Sequence, residues 1–166
     1  MDSRMRLIAC SRRLASPCAC LLLALLPSLL AQTNSVLSLR PVERIRIKRG
    51  EEFSQKLTAD LRPGFHVNSN APADEYLIPL KLTWIKGQVE AELVTYPKPQ
   101  LEKYEFSEKP VSVFSGSFDL VTKFRTSANA PGGPATVNGK LRYQACNNKE
   151  CLAPRTLDVQ LPVDIQ

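Results

Sequence analysis

The sequence predicts an all-β chain, an immunoglobulin-like antiparallel sandwich preceded by an export signal. Three observations carry that expectation. Apolar and polar residues alternate with a period of two along much of the chain, and clusters of Gly, Pro and Asn interrupt those runs. No stretch after residue 31 sustains helical spacing for ten residues. Alternation at period two puts one face of a strand on a core and the other in water. Several short strands joined by turns suit two packed sheets. A closed barrel satisfies the same pattern and stands as the alternative.

Taken in order, residues 1–31 read as the signal. Arg4, Arg6, Arg12 and Arg13 make a basic start, and an apolar run over residues 18–31 is broken only at Pro27 and Ser28. That run falls short of the about 20 apolar residues a membrane span requires, and the order basic-then-apolar is that of a removable leader. Cleavage is expected after Ala31, although Leu29 stands where a small residue is preferred. A leader left uncut would instead tether the chain to a membrane. The domain proper is then residues 32–166, of which residues 32–40 form a loose lead-in.

Leu80, Leu82 and Trp84 alternate with Lys81 and Thr83, and Val89, Ala91 and Leu93 with Glu90 and Glu92. Phe118, Leu120, Thr122 and Phe124 share a face, as do Leu157, Val159, Leu161, Val163 and Ile165. Turns are expected at Arg62-Pro63-Gly64, Lys86-Gly87, Pro97-Lys98-Pro99, residues 130–134 and Asn138-Gly139, because Gly, Pro and Asn supply the backbone angles that turns need. Residues 97–110 are the longest irregular stretch. Further on, Leu141, Tyr143 and Ala145 fall on one face and Lys140, Arg142, Gln144 and Cys146 on the other. Cys146 is therefore expected on the side open to solvent or to a covering loop. Residues 147–150, Asn-Asn-Lys-Glu, suit a hairpin that returns Cys151 opposite Cys146.

Charge and motifs narrow the function classes. The formal charge of +6 falls to +3 without the leader's four arginines and Asp2. The remaining basic residues are mixed with acidic ones, so the one-sided stripe of a nucleic-acid binder is missing. Gly132-Gly133 is flanked by prolines and opens no phosphate-binding loop. His66 is the sole histidine, and no serine, histidine and acid arrangement forms around it.

Of the five cysteines, Cys10, Cys18 and Cys20 lie in the leader, without a lipid-attachment pattern. Cys146 and Cys151 remain, in a compartment that permits disulfides. As a staple the pair is weak: a loop of about six residues restricts the unfolded chain by roughly 2 kcal/mol, against about 5 for a loop of about a hundred. A short exposed ring exchanges readily with thiols. As metal ligands, two thiolates and His66 lack both a fourth partner and Cys-x-x-Cys spacing. Redox exchange is the leading reading, with no metal and no cofactor. A non-catalytic binding module with a hairpin disulfide is its rival, and a metal chaperone is the third.

The strings Tyr143-Gln144-Ala145-Cys146 and Cys151-Leu152-Ala153-Pro154 resemble the active-site segment of the periplasmic N-terminal domain of the thiol:disulfide interchange protein DsbD. Gly64-Phe65-His66-Val67-Asn68-Ser69-Asn70 and Glu75-Tyr76-Leu77-Ile78-Pro79 are similar to the same family, and the likeness runs loosely from about Arg44 to Ile165. It implies an immunoglobulin-like domain in the periplasm whose cysteines cycle between dithiol and disulfide. Reducing equivalents would come from a membrane-embedded thiol reductase and pass to periplasmic thioredoxin-fold proteins, which correct disulfides or mature cytochromes. Carried over, Cys151 forms the mixed disulfide with partners and Cys146 resolves it. A cap loop over residues 101–108 would place Tyr104 or Phe106 as an aromatic lid, with His66 and Asn68 beside the cysteines. Lys149 and Arg142 would favour the thiolate and Glu150 oppose it. Two departures stand out. Four residues separate the cysteines, a spacing unlike some relatives, and the sequence stops at Gln166 where the family continues into membrane and thioredoxin-like domains. Either a separate membrane protein is then the electron donor, or the domain has moved to another task.

Overall fold

A computed structural model describes residues 35–166. The expected leader and its cleavage point, residues 1–31, lie outside the described residues. In chain order the strands are β1 (Leu37–Leu39), β2 (Ile45–Ile47), β3 (Glu52–Leu61), β4 (His66–Asn68), β5 (Lys81–Trp84) and β6 (Val89–Thr95). They continue with β7 (Gln100–Glu102), β8 (Val111–Ser115), β9 (Ser117–Thr126), β10 (Gly133–Tyr143), β11 (Ala145–Cys146) and β12 (Arg155–Ile165). Among the described residues there is no helix. The fold is immunoglobulin-like and all-β.

The strands form three four-stranded sheets, ordered β1-β3-β9-β6, β2-β12-β10-β5 and β11-β4-β8-β7. All pairs are antiparallel except β2 with β12, which run parallel from Val163↔Ile45 to Ile165↔Ile47. The longest pairing joins β10 to β12, from Gly133↔Ile165 to Tyr143↔Arg155.

Alternation explains the core. Leu57, Ala59 and Leu61 of β3 and Phe118, Leu120 and Phe124 of β9 are buried, as are Val137, Leu141 and Tyr143 of β10 and Val159, Leu161, Val163 and Ile165 of β12. Trp84 packs against both clusters they build. Its Nε1–H donates to Thr122 Oγ1 at 3.0 Å, and its ring meets Phe124 edge-on at 4.9 Å. A smaller apolar cluster, Leu77, Tyr104, Val111 and Val113 with Phe106 against it, belongs to the third sheet and its neighbouring loops.

Three expectations of the strand pattern fail for identifiable reasons. Residues 37–39 are no loose lead-in: they form β1, paired with β3 from Leu37↔Leu61 to Leu39↔Ala59, because Leu37 is 0% exposed and belongs to the core. Asn138-Gly139 is no turn; both residues lie inside β10, with Gly139 opposite Trp84. A Cβ at Gly139 would stand 2.8 Å from the Trp84 ring and 2.9 Å from the Thr83 carbonyl oxygen. The glycine is there to admit the indole. In β6 the pairing with β9 shifts between Ala91 and Leu93. A bulge reverses the facing of the residues beyond it, so Leu93 is exposed and Val94 packs against the core.

Candidate redox site

β10 stays in the second sheet as far as Tyr143. The chain leaves that sheet at Gln144, and β11 pairs with β4 in the third, Ala145↔Val67 and Cys146↔His66. Changing sheets ends the alternation. Ala145 and Cys146 are consecutive and both buried, so Cys146 does not stand on an open face.

The turn after it forms as the sequence suggests. Asn147 N–H donates to the Glu150 carbonyl at 2.9 Å. The Asn147 side-chain oxygen accepts from the Lys149 and Glu150 N–H groups at 2.8 and 2.9 Å, the local bonding that makes Asn a turn residue. Cys151 returns in an antiparallel bridge opposite Cys146, and Leu152 N–H donates to the Ala145 carbonyl at 2.8 Å. The two cysteines form a disulfide, with their Cα atoms 3.9 Å apart. Their environments differ: Cys146 is 0% exposed, whereas Cys151 is only partly covered. Lys149 and Glu150 are exposed on the turn, and Arg142 is exposed on β10 opposite Thr156 and Lys81.

Residues distant in sequence close in around the hairpin. His66, 3% exposed, lies directly opposite Cys146. Tyr104 stacks on the imidazole with ring centroids 3.9 Å apart and planes at 15°. Phe106 lies 5.3 Å from Tyr104 and 6.2 Å from His66, near parallel to both. The Tyr104 hydroxyl donates to the Glu102 carboxylate. Burial holds His66 below the ordinary imidazole range, with the Glu102 charge opposing the shift. Burial pushes the Tyr104 phenol up, and its bond to Glu102 adds to that. Both follow from the cost of moving charge away from water.

Asn68 is fully buried; its amide donates to the Ile78 carbonyl at 3.0 Å and to Gln144 Oε1 at 3.2 Å. Gln144 Oε1 also accepts from Ile78 N–H at 3.2 Å, and its Nε2 donates to the Leu152 carbonyl at 3.3 Å. One side chain thus ties β4, the loop before β5 and the strand leaving the disulfide. Sequence reasoning passes over Gln144, because alternation puts it among the outward residues of β10. Its position at the change of sheet turns it inward.

The buried polar atoms without a hydrogen-bond partner gather here too. His66 Nε2, Asn68 Oδ1 and the Tyr143 hydroxyl are three such atoms, Thr126 Oγ1 being the other among the described residues.

Comparison with known proteins gives the family. The family described as "Thiol:disulfide interchange protein DsbD, N-terminal" matches residues 33–162. The chain belongs to the DsbD N-terminal family. Among solved structures, the DsbD N-terminal domain of Neisseria meningitidis in its reduced form is similar at 14% identity, covering 66% of this chain and 76% of that one, with a TM-score of 0.43. The N-terminal periplasmic domain of ScsB from Proteus mirabilis is similar at 16% identity, covering 70% of this chain and 43% of that one, with a TM-score of 0.48. No curated protein matches. As a member of this family the chain is a thiol–disulfide exchange module, and it holds a disulfide between Cys146 and Cys151.

Proposed function

We propose that this chain is an exported relay of reducing equivalents, in which Cys151 exchanges with partners and Cys146 resolves the mixed disulfide. The supporting observation is the unequal burial of the two sulfurs' residues: Cys146 is closed off, whereas Cys151 is partly open at the hairpin's return. A thiolate must reach a disulfide sulfur to attack it, which favours Cys151 as the point of entry.

In the delivering direction the Cys151 thiolate attacks a partner's disulfide. One partner sulfur leaves as a thiolate and the other is bonded to Cys151. Cys146 then attacks the Cys151 sulfur, the ring closes, and the second partner thiolate departs. Two electrons have moved to the partner, with the S–S bond as carrier and no cofactor in the cycle. Reduction by a membrane-embedded thiol reductase runs the same steps backwards, and periplasmic thioredoxin-fold proteins are the acceptors. Residues 1–31 serve as the export signal for residues 32–166, which act in the periplasm or another extracytoplasmic space.

Tyr104 and Phe106 act as the lid. Their stack on His66 holds residues 101–108 over β4, the strand paired with β11. Docking of a partner lifts the loop, and its closure limits reoxidation by stray thiols. Asn68 holds Gln144, and with it the segment that carries Cys146.

Titration of the pair against glutathione tests the proposal. An exchanging pair lies above about −300 mV, since structural disulfides mostly lie lower. Cys151→Ala is expected to abolish transfer to a thioredoxin-fold protein while costing no more than roughly 2 kcal/mol of stability. A potential far below that value, or a Cys151→Ala chain that no longer folds, would hand the assignment to the binding-module reading.

A further inference from the structure

We infer that His66 takes the proton from the Cys146 thiol as Cys146 closes the ring, an inference that rests on the exchange reading above. The need for such a group comes from burial. Cys146 is 0% exposed, and a thiol in apolar surroundings resists becoming the thiolate that performs the attack. The resolving sulfur therefore needs a base within its own enclosure.

His66 meets that need by position and by valence. It is the residue opposite Cys146 in the β11–β4 pairing, and directly opposed residues of antiparallel strands project from the same face with Cβ atoms about 4.5–5.5 Å apart. Its Nε2 is buried and has no hydrogen-bond partner. Leaving such an atom unpaired is costly, so a donor that arrives there is bound. The disulfide form carries no S–H to offer it. Reduction creates a donor, the Cys146 thiol, on the residue directly opposite the unpaired nitrogen. Tyr104 stacks on the imidazole with centroids 3.9 Å apart, which fixes the ring, and at 3% exposure His66 is closed to competing water.

The titratable groups about His66 are Cys146 on β11, Tyr104 in the loop after β7 and Glu102 on β7, while Ser115 is opposite it on β8. Burial keeps the imidazole neutral near neutral pH, hence able to accept. Glu102, bonded to the Tyr104 hydroxyl, supplies a negative charge that favours the imidazolium once formed. The step balances. The Cys146 S–H bond breaks and its proton goes to Nε2; Sγ146 bonds to Sγ151; the Sγ151–partner bond breaks and its electron pair leaves with the partner thiolate. Cys146 is oxidised and the partner sulfur reduced. The imidazolium then gives its proton to the departing thiolate or to water.

The reduced full chain, with Cys10→Ser, Cys18→Ser and Cys20→Ser so that only the pair reacts, is mixed with an aromatic disulfide that releases coloured thionitrobenzoate. Attack by Cys151 releases one equivalent at a rate proportional to reagent, and ring closure by Cys146 releases the second at a rate independent of it. His66→Gln, which also removes the ring the lid stacks on, is expected to leave the first phase no slower and to slow the second on the order of a hundredfold at neutral pH, the lower end of general-base effects. In that variant the second phase should steepen to about tenfold per pH unit, following the thiolate fraction. Unchanged second-phase kinetics, or equal slowing of both phases, overturns the inference. If wild-type chain shows no second phase, the exchange reading itself fails. Should His66→Gln not fold, the wild-type imidazole, alone of its kind in the sequence, is titrated by NMR. Its pKa is expected to be lower in the dithiol than in the disulfide form; identical values overturn the inference.

Discussion

β10 and β12 pair along their whole length, from Gly133↔Ile165 to Tyr143↔Arg155, whereas β11 meets β4 at only Ala145↔Val67 and Cys146↔His66. The first region rests on a repeating ladder with a continuous apolar face beneath it. The second rests on particular side chains: the Gln144 bonds, the Asn147 turn and the rings of His66, Tyr104 and Phe106. Free energies of local opening follow the density of such support. The lesson is a division of labour. The long ladder of the body needs no single side chain, whereas the sulfur hairpin, although Val67 and Ala145 reach the body's core cluster, depends on a few named ones.

That contrast can be broken in several places. The largest effect is expected in the body. Leu161→Ala empties a fully buried site and should cost roughly 2–5 kcal/mol by denaturant unfolding, as large-to-small core changes do. A loss below about 1 kcal/mol would deny β12 its role as the framework. In the site sheet, Gln144→Ala removes its bonds with Asn68, Ile78 and Leu152 and leaves the part-buried Ile78 N–H and Leu152 carbonyl without that partner, a cost of about 1–3 kcal/mol. Hydrogen exchange should quicken at residues 66–68 and 145–146 and not in β10 or β12. Uniform quickening would mean that the two regions open together.

Acid sharpens the comparison further. In the unfolded chain the His66 imidazole titrates near 6.5, and in the folded chain burial lowers that value. Between the two, the unfolded state binds more protons, so stability falls with falling pH. Its contribution is complete above about pH 7 and declines as pH drops through 6.5 towards the folded value. Thermal midpoints should follow that course in wild type and lose the His66 portion in His66→Gln. Asp60 and Asp119, whose carboxyls are held low by hydrogen bonds from Arg40 and Thr58 respectively, act only further down, in the carboxylate range. The smallest effect belongs to the outer face of the body. Lys140 and Asp158 are paired at 3.1 Å across β10 and β12, but both are exposed. Asp158→Asn should change stability by less than about 1 kcal/mol, since exposed ion pairs contribute little.

The same contrast governs how much of the molecule is legible in the sequence. β9 and β12 are long enough for alternation to repeat, and their inward residues are those the pattern selects; in β10 the pattern selects Leu141 and Tyr143 but not Val137, beyond Asn138-Gly139. β4, β7 and β11 have two or three residues each, too few for a period to be read. The change of sheet at Gln144 leaves no mark in the alternation, so the inward turn of Cys146 and Gln144 stays hidden. The cysteine hairpin is legible because its turn chemistry is local to residues 147–150. The contact of His66 with Tyr104 spans 38 positions and depends on β7 and β8 bringing the loop back. Gly139 reads falsely as a turn former because its purpose lies on another strand, in the width of an indole.

That indole has a practical consequence. Trp84 is the chain's lone tryptophan, wedged against Phe124 and bonded to Thr122. Its fluorescence is thus a built-in gauge of the two-sheet body, while the disulfide answers to thiol reagents. One sample can report on scaffold and sulfur through separate signals, with no label attached.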